Sequence, residues 1–224
     1  MATLLLRLSA PMQSWGTQSN FTHRDTRREP SKSGIVGLLC AALGIPRSVS
    51  FIEDPYKQLV DLRMGVRVDR EGTVRRDFHS AGMGGIYKVK GGSPKKSLVI
   101  SNRYYLADAK FLVGLEGESD LLAELQAALQ RPRWFLFLGR KAYIPAERIW
   151  LADGLRSESL EKALTQYDLL DSTASMPRRL RYVFEDPAGD VTRNDHVISF
   201  AERRFIPRRV RITTLMTPQP VQEE

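Results

Sequence analysis

The sequence predicts an α+β fold, on three observations. Short apolar runs of strand length alternate with two amphipathic stretches of helical length. Up to residue 138 their order is strand, helix, strand, strand, helix, strand. The remainder of the chain is basic and again strand-rich. That order is the ferredoxin-like pattern shared by many RNA-binding domains. The expected organisation is a ferredoxin-like domain over 1–150 with an insertion near 79–97, a basic β-rich extension over 151–216 packed on it, and a tail at 217–224.

Each element has a local signal. Residues 3–8 are a short apolar run that reads as a buried strand, and Ala10-Pro11 ends it. After a polar, basic loop, Ser31 or Ser33 is placed to cap a helix running to about Leu43, with Gly44 closing it. Its Ile35, Val36, Leu38, Leu39, Ala42 and Leu43 are expected to lie on a sheet. Asp54-Pro55 opens a second short helix. Met64, Val66 and Val68 alternate as a half-buried strand, and Arg70-Glu71-Gly72 turns the chain into another over 73–78. The stretch 79–97 carries Gly82, Gly84, Gly85, Gly91, Gly92 and Pro94 among Lys88, Lys90, Lys95 and Lys96, which predicts a protruding loop. Strands resume at 98–106 and 111–115. Ser119 or Asp120 opens a helix with Leu121, Leu122, Leu125, Ala128 and Leu129 at helical spacing; Pro132 ends it, and 134–138 is the next strand. Beyond it come a helix near 159–169 and strands near 181–185 and 209–214.

Composition excludes several classes. Of 224 residues, 42% are hydrophobic and 27% charged, which excludes wholesale disorder. No apolar run approaches the ~20 residues that span a bilayer, and no signal peptide is expected. Cys40 has no internal disulfide partner, and the three histidines are scattered, so neither a structural zinc site nor any other cofactor is expected. No Walker-type phosphate loop is present, and Gly82-Met83-Gly84-Gly85 does not complete a dinucleotide fingerprint. The reading is a cytoplasmic, basic protein that is not membrane-bound.

The net charge of +8 is unevenly distributed. Residues 63–103 hold ten basic side chains against three acids, and 178–211 hold nine arginines against five acids. Arginine clusters suit phosphate and also stack on bases, so a polyanion partner is expected. Three arrangements invite an anion. Arg24, Arg27, Arg28 and Lys32 lead into the N-terminus of the first helix, where Ser33 and the free amides favour phosphate. Gly139-Arg140-Lys141 comes after a predicted strand and presents two exposed cations. The third is the Gly/Lys loop, with His79 and Lys88. Among nearby aromatics, Phe78 and Tyr105 are expected in the core, while Trp15 and Tyr104 read equally as core residues or as base-stacking surfaces.

Several spaced motifs, in one order, then resemble a known family. These are Leu4 to Leu8 followed by Pro11-Met12-Gln13-Ser14-Trp15-Gly16, Thr26-Arg27-Arg28 with Pro30-Ser31-Lys32-Ser33-Gly34, and Gly37-Leu38-Leu39. Further on stand Asp77-Phe78-His79, Arg103-Tyr104-Tyr105-Leu106-Ala107-Asp108-Ala109, and Leu138-Gly139-Arg140-Lys141 with Pro145. Together they resemble the CasD family, the fifth-class Cas subunit of the type I-E CRISPR Cascade complex. The resemblance runs with gaps to about Trp150. It implies a ferredoxin-like fold of the RAMP superfamily and a non-catalytic role: holding the 5′ handle of the CRISPR RNA. It also implies contact with the backbone subunit CasC and the large subunit CasA, and with target DNA through the complex. A thumb-like insertion of the family corresponds to 79–97. The residues expected to meet RNA are Gln13, Trp15, Arg24, Arg27, Arg28, Lys32, Ser33, His79, Lys88, Arg103, Tyr104, Arg140 and Lys141. The alternative is a metal-independent endoribonuclease processing CRISPR precursor RNA, with His23 or His79 as acid or base on the 2′-hydroxyl attack.

Overall fold

In β1 (Ala2–Ser9), Leu4, Leu6 and Leu8 face one way and Leu5 the other, and all four have no exposed surface. A strand apolar on both faces belongs at the centre of a covered sheet, and there the chain puts it. The computed structural model describes residues 1–20, 22–53, 55–82, 98–170 and 179–216. After β1 come β2 (Met12–Gln13), β3 (His23–Arg24), α1 (Lys32–Leu43), α2 (Lys57–Asp61), β4 (Arg63–Arg70) and β5 (Thr73–Ala81). Then come β6 (Val99–Ala107), β7 (Lys110–Gly117), α3 (Ser119–Gln130), β8 (Trp150–Arg156), α4 (Leu160–Gln166), β9 (Arg179–Glu185), β10 (Val191–Ser199) and β11 (Arg204–Met216). A seven-stranded sheet runs in the order β10-β11-β9-β4-β7-β1-β8, every neighbour antiparallel.

Helices cover both faces. On one, α1 and α3 bury Ile35, Leu38, Leu39, Leu122 and Leu125 against Leu4, Leu6 and Leu8. Ser31, not Ser33, caps α1, its Oγ accepting from the Gly34 amide at 3.3 Å, and Gly44 closes it at φ 76°. The cap is worth about 1 kcal/mol, whereas each buried leucine contributes about 1.5–3 kcal/mol, so packing decides the helix and the cap its start. On the other face α4 seats Leu160, Ala163 and Leu164 on Leu5, Leu112, Tyr182 and Phe184. Gly65 and Gly114, directly paired across β4 and β7, let it approach. A Cβ on Gly65 would stand 2.6 Å from Leu164 Cδ1, and one on Gly114 the same distance from Leu160 Cδ1.

A second, smaller sheet stands beside the first. β6 pairs with β5 along one edge; on its other edge lie β2, antiparallel, and β3, parallel. Nearly all of β5 is exposed, so this hairpin projects from the body.

Several expectations are corrected. β4 is not half-buried: Gly65 and Arg67 are covered as fully as Met64, Val66 and Val68, because α4 occupies the second face. Residues 134–138 form no strand. Pro132, Pro145 and Gly139 at φ 94° shape an irregular connection there, and β8 takes the place beside β1. β5 continues through His79 to Ala81, three residues into the expected loop, and residues 83–97 lie outside the described residues. Glu118, not Ser119 or Asp120, stands at the N-cap position of α3 and Ser159 at that of α4, neither with a side-chain cap bond, while the short second helix begins at Lys57, with Asp54 outside the described residues. Among the described residues no helix is long and apolar enough to cross a membrane.

The one fully buried guanidinium among the described residues pins α4 to the sheet. Arg67, 0% exposed, binds Asp69 bidentately at 2.7 and 2.9 Å and donates to the carbonyls of Leu164, Tyr167 and Asp168; Asp69 also accepts from the Leu170 amide. Arg67→Met leaves the buried Asp69 carboxylate with its charge uncompensated, at a cost of about 3–5 kcal/mol. For a chain of this size that lowers the thermal midpoint by roughly 10 °C. Arg67→Met with Asp69→Leu should recover most of the loss in the same melting experiment. An unchanged midpoint in the single variant would show that the pair contributes nothing.

Candidate nucleic-acid interface

Four arginines converge on a cleft of about 510 Å³ between the loop after β2, the first turn of α1, the middle of β6 and the turn at Gly139. Arg24, Arg47, Arg103 and Arg140 line it, and among the described residues none is ion-paired to a carboxylate. Their hydrogen bonds go to neutral groups: Arg47 to the Phe200 carbonyl, Arg103 Nε to Ser101 Oγ, and Arg140 to Tyr143 Oη and the carbonyls of Tyr104 and Arg24. Asp25 is the acid of the lining. Its carboxylate accepts from the amides of Thr17 and Gln18 at 3.2 and 3.1 Å and from Ser19 Oγ at 2.5 Å, which closes the loop on itself. The cleft is therefore a concave, positively charged surface whose guanidiniums keep donors for an anion.

Gly139 makes the turn that brings Arg140 in. A Cβ there would lie 1.8 Å from the Ser14 carbonyl oxygen, so only glycine fits, and the Ser14 amide donates to the Leu138 carbonyl at 3.1 Å. Arg140 is half-buried, its guanidinium 5.3 Å from the centre of the Tyr143 ring. It is not the free surface cation expected from sequence. Burial pushes the Tyr143 phenol up, against the opposing pull of Arg140, so it stays a neutral donor and acceptor.

Of the sequence-predicted residues, Arg24, Ser33, Arg103 and Arg140 meet in this cleft, and Trp15, only 2% exposed, lies at its wall. Tyr104 lies beside it, half-buried, with its ring 5.5 Å from that of His23. Lys141 is exposed next to Arg140, outside the lining. Arg27 turns its Nε to Thr17 Oγ1 at 3.1 Å, and Arg28 is exposed, outside the lining, with its carbonyl accepting from Arg181. His79 is exposed on β5 opposite Ser101. Lys88 lies outside the described residues. Arg47 and Phe200 were not anticipated; a lone arginine after a helix and a phenylalanine distant in sequence leave no spacing signal.

Four placements correct the sequence reading. Gln13 is fully buried, its Nε2 donating to the carbonyls of Leu8 and Ala109 and its Oε1 accepting from Trp15 Nε1 at 3.2 Å. Trp15 is 2% exposed and packs against Gly34, where a Cβ would come within 2.9 Å of the ring, so it offers bases no face. Lys32 is also 2% exposed: its ammonium holds Glu185 at 2.8 and 2.9 Å, and its amide donates to Asp195 Oδ2 at 2.8 Å. The helix N-terminus expected to bind phosphate is thus occupied by the protein's own carboxylates. Phe78, expected in the core, is 65% exposed on the projecting hairpin.

The C-terminal arginine cluster is largely internal. Arg181 pairs with Glu29 and Glu71, Arg193 with Glu29, Arg208 with Asp195 and Glu185, and Arg211 with Asp186 and Glu161. No group of His, Cys, Asp and Glu among the described residues is placed to hold a metal ion.

Comparison with known proteins agrees with the charge pattern. Residues 3–211 match the model of the family described as CRISPR-associated protein (Cas5). The chain is 32% identical over 174 residues to the CRISPR system Cascade subunit CasD of Escherichia coli strain K12, covering 74% of this chain and 76% of that one. A solved structure described as a crystal structure of a Cas protein superposes with a TM-score of 0.78 at 42% identity, over 97% of this chain and 98% of the other. A chain of a CRISPR RNA-guided surveillance complex superposes with a TM-score of 0.74 at 31% identity, over 96% and 91%.

The charges behind α1 carry a pH signature. Burial, followed by the repulsion of Lys32 and Arg208, holds the half-buried His196 below its ordinary value of 6.5, against the pull of Glu185 and Asp61. Its proton therefore binds the unfolded chain more tightly than the folded one. The resulting stability is complete above pH 6.5 and is lost as the pH falls below it. Between pH 7.5 and 5 the thermal midpoint of the wild type should fall more steeply than that of His196→Gln. Parallel curves would remove His196 from the balance.

Proposed function

The chain belongs to the Cas5 family of CRISPR-associated proteins, and from that membership we propose that it is a Cascade subunit holding the 5′ handle of the CRISPR RNA, without cleaving it. The observation that carries this reading is the arginine cleft. Its cations have no carboxylate partners among the described residues, whereas Arg181, Arg193, Arg208 and Arg211 of the C-terminal strands do. A bent single strand presents phosphates at several angles, which suits guanidiniums arriving from four different segments.

Other features support parts of the proposal. The order β4-β7-β1-β8, antiparallel throughout, agrees with a ferredoxin-like centre in which β8 is the fourth strand. The exposed β5–β6 hairpin leads into the Gly/Lys segment assigned to the thumb and to contact with the backbone subunit CasC. The large subunit CasA and, through the complex, target DNA complete the proposed partners, in the cytoplasm and away from membranes. His23 and His79 lie on strands flanking β6 from opposite edges, so their backbones stand roughly 10 Å apart. Neither histidine is in the lining of the arginine cleft, which supports binding there without cleavage.

Two experiments test the reading. Single-stranded repeat RNA should bind with log K falling by about 0.7 per neutralised phosphate against log salt. Arg24→Ala with Arg103→Ala should flatten that slope by roughly 1.4 and reduce assembly with handle-bearing RNA, at an unchanged thermal midpoint. An unaltered slope and affinity would remove the cleft from RNA binding. Incubated with repeat RNA, the purified chain should leave it intact; specific cleavage abolished by His79→Ala would establish the nuclease instead.

A further inference from the structure

The connection between α3 and β8 builds a second surface that the arginine cleft does not use. A groove of about 540 Å³ has a floor of Leu129, Leu136 and Ile149, hemmed by Pro132 and Pro145. Three rings stand at it: Trp150, Trp134, which is 49% exposed, and Phe135, which is 94% exposed. Two large aromatics held open to water beside an apolar floor mark a binding surface, because isolated exposed apolar side chains are ordinary but a contiguous patch is not.

The charges select the partner. Arg133 and Arg148 line the groove, the Arg148 guanidinium standing 5.3 Å from the centre of the Trp150 ring. The acid of the lining, Glu147, is neutralised by Arg7 Nη1 at 2.9 Å. Arg133 has no ion-pair partner among the described residues. Rings interleaved with arginines on a net positive rim form the pattern that stacks successive bases while cations track the phosphates. The groove also lies apart from the cleft. The Arg133 and Trp134 amides donate to the Ala42 and Ala41 carbonyls at the C-terminal end of α1, while the cleft opens at its N-terminal turn. The 12 residues of α1 put about 18 Å between the two ends.

We propose that this groove is a stacking surface for single-stranded DNA, distinct from the cleft assigned to RNA. The sugar decides between the two acids. Apart from the indole N–H groups of Trp134 and Trp150, the uncharged lining is aliphatic, proline and phenyl, and its side chains offer no acceptor to a 2′-hydroxyl proton. Such a hydroxyl would lose its water on that floor without replacement, whereas deoxyribose and the thymine methyl lose nothing.

The test uses the full chain and its own fluorescence. Of three tryptophans, Trp15 is buried, so quenching by an added strand reports on Trp134 and Trp150. Oligo(dT) at low salt should quench the emission saturably, and oligo(rU) should do so more weakly. Phe135→Ala, which keeps all three tryptophans, should weaken oligo(dT) binding about tenfold, the effect of one lost stacking contact. Arg133→Glu, a second and independent variant, should weaken it similarly at an unchanged thermal midpoint. Arg24→Ala with Arg103→Ala should leave the quenching intact, which separates this surface from the RNA cleft. Quenching that oligo(rU) matches, or that vanishes only with the cleft arginines, overturns the proposal. So does an absence of quenching, including the case in which a partner protein covers the groove in an assembled complex.

Discussion

Asp195 holds the two ends of the chain together. One of its oxygens accepts the first amide of α1, and both bind Arg208 on β11. Beside it Lys32 and Glu185 make a second link between α1 and β9, and Glu29, just before the helix, binds Arg181 and Arg193. A helix that begins with no acid in its own first turn thus receives its counter-charge from the far side of the sheet. The dipole, the orphan amides and a buried ammonium are all satisfied at one junction. Because these carboxylates are largely buried, the links resist screening by salt, and they fix where the N-terminal turn of α1, and hence one wall of the cleft, stands.

This junction also determines which positive charges remain for a partner. The count of arginines in the last third of the chain suggests a polyanion surface, yet Arg181, Arg193, Arg208 and Arg211 neutralise Glu29, Glu71, Glu161, Asp186 and Asp195. Arg24, Arg47, Arg103 and Arg140 sit where the described residues offer little acid, and Asp25 is held by the loop's own donors. A guanidinium already bridging a carboxylate gains little from a phosphate, since the exchange breaks as many charge-assisted bonds as it makes. Two clusters of similar formal charge therefore differ in the donors they keep free, because one is largely paired internally.

Signals confined to a few neighbouring residues were legible in the sequence. Ser31 and Gly44 bound α1 as their chemistry requires, and the apolar run of β1 lies within the covered sheet. What failed depended on partners distant in the chain. The apolar residues at 134–138 read as a strand, but the ladder position beside β1 went to β8, whose Asp153 and Gly154 weaken its strand signal. β10 escaped notice because its burial alternates behind polar residues such as Thr192, Asn194 and Asp195. In the cleft, Arg24, Arg103 and Arg140 were legible from charge and motif. Arg47 was not, because what recruits it is the Phe200 carbonyl, 153 positions away.

Gln13 and Trp15 belong to the motifs that carry the family resemblance, yet both are interior. Their role lies in what they hold. Gln13 joins the end of β1 to Ala109 and to the Trp15 indole, and Trp15 wedges against α1 at Gly34, so the loop leaving β1 has one course. That course carries the Ser14 carbonyl against Gly139, which aims Arg140 at the backbones of Tyr104 and Arg24. A buried amide and indole thereby set the positions of two cleft arginines without facing the cleft's solvent. Flexible arginines bind a bent strand tightly only when their backbones arrive preorganised, since ordering them on binding would cost affinity. A motif that carries a family resemblance need not touch a ligand, because these side chains act by building the walls of the cleft.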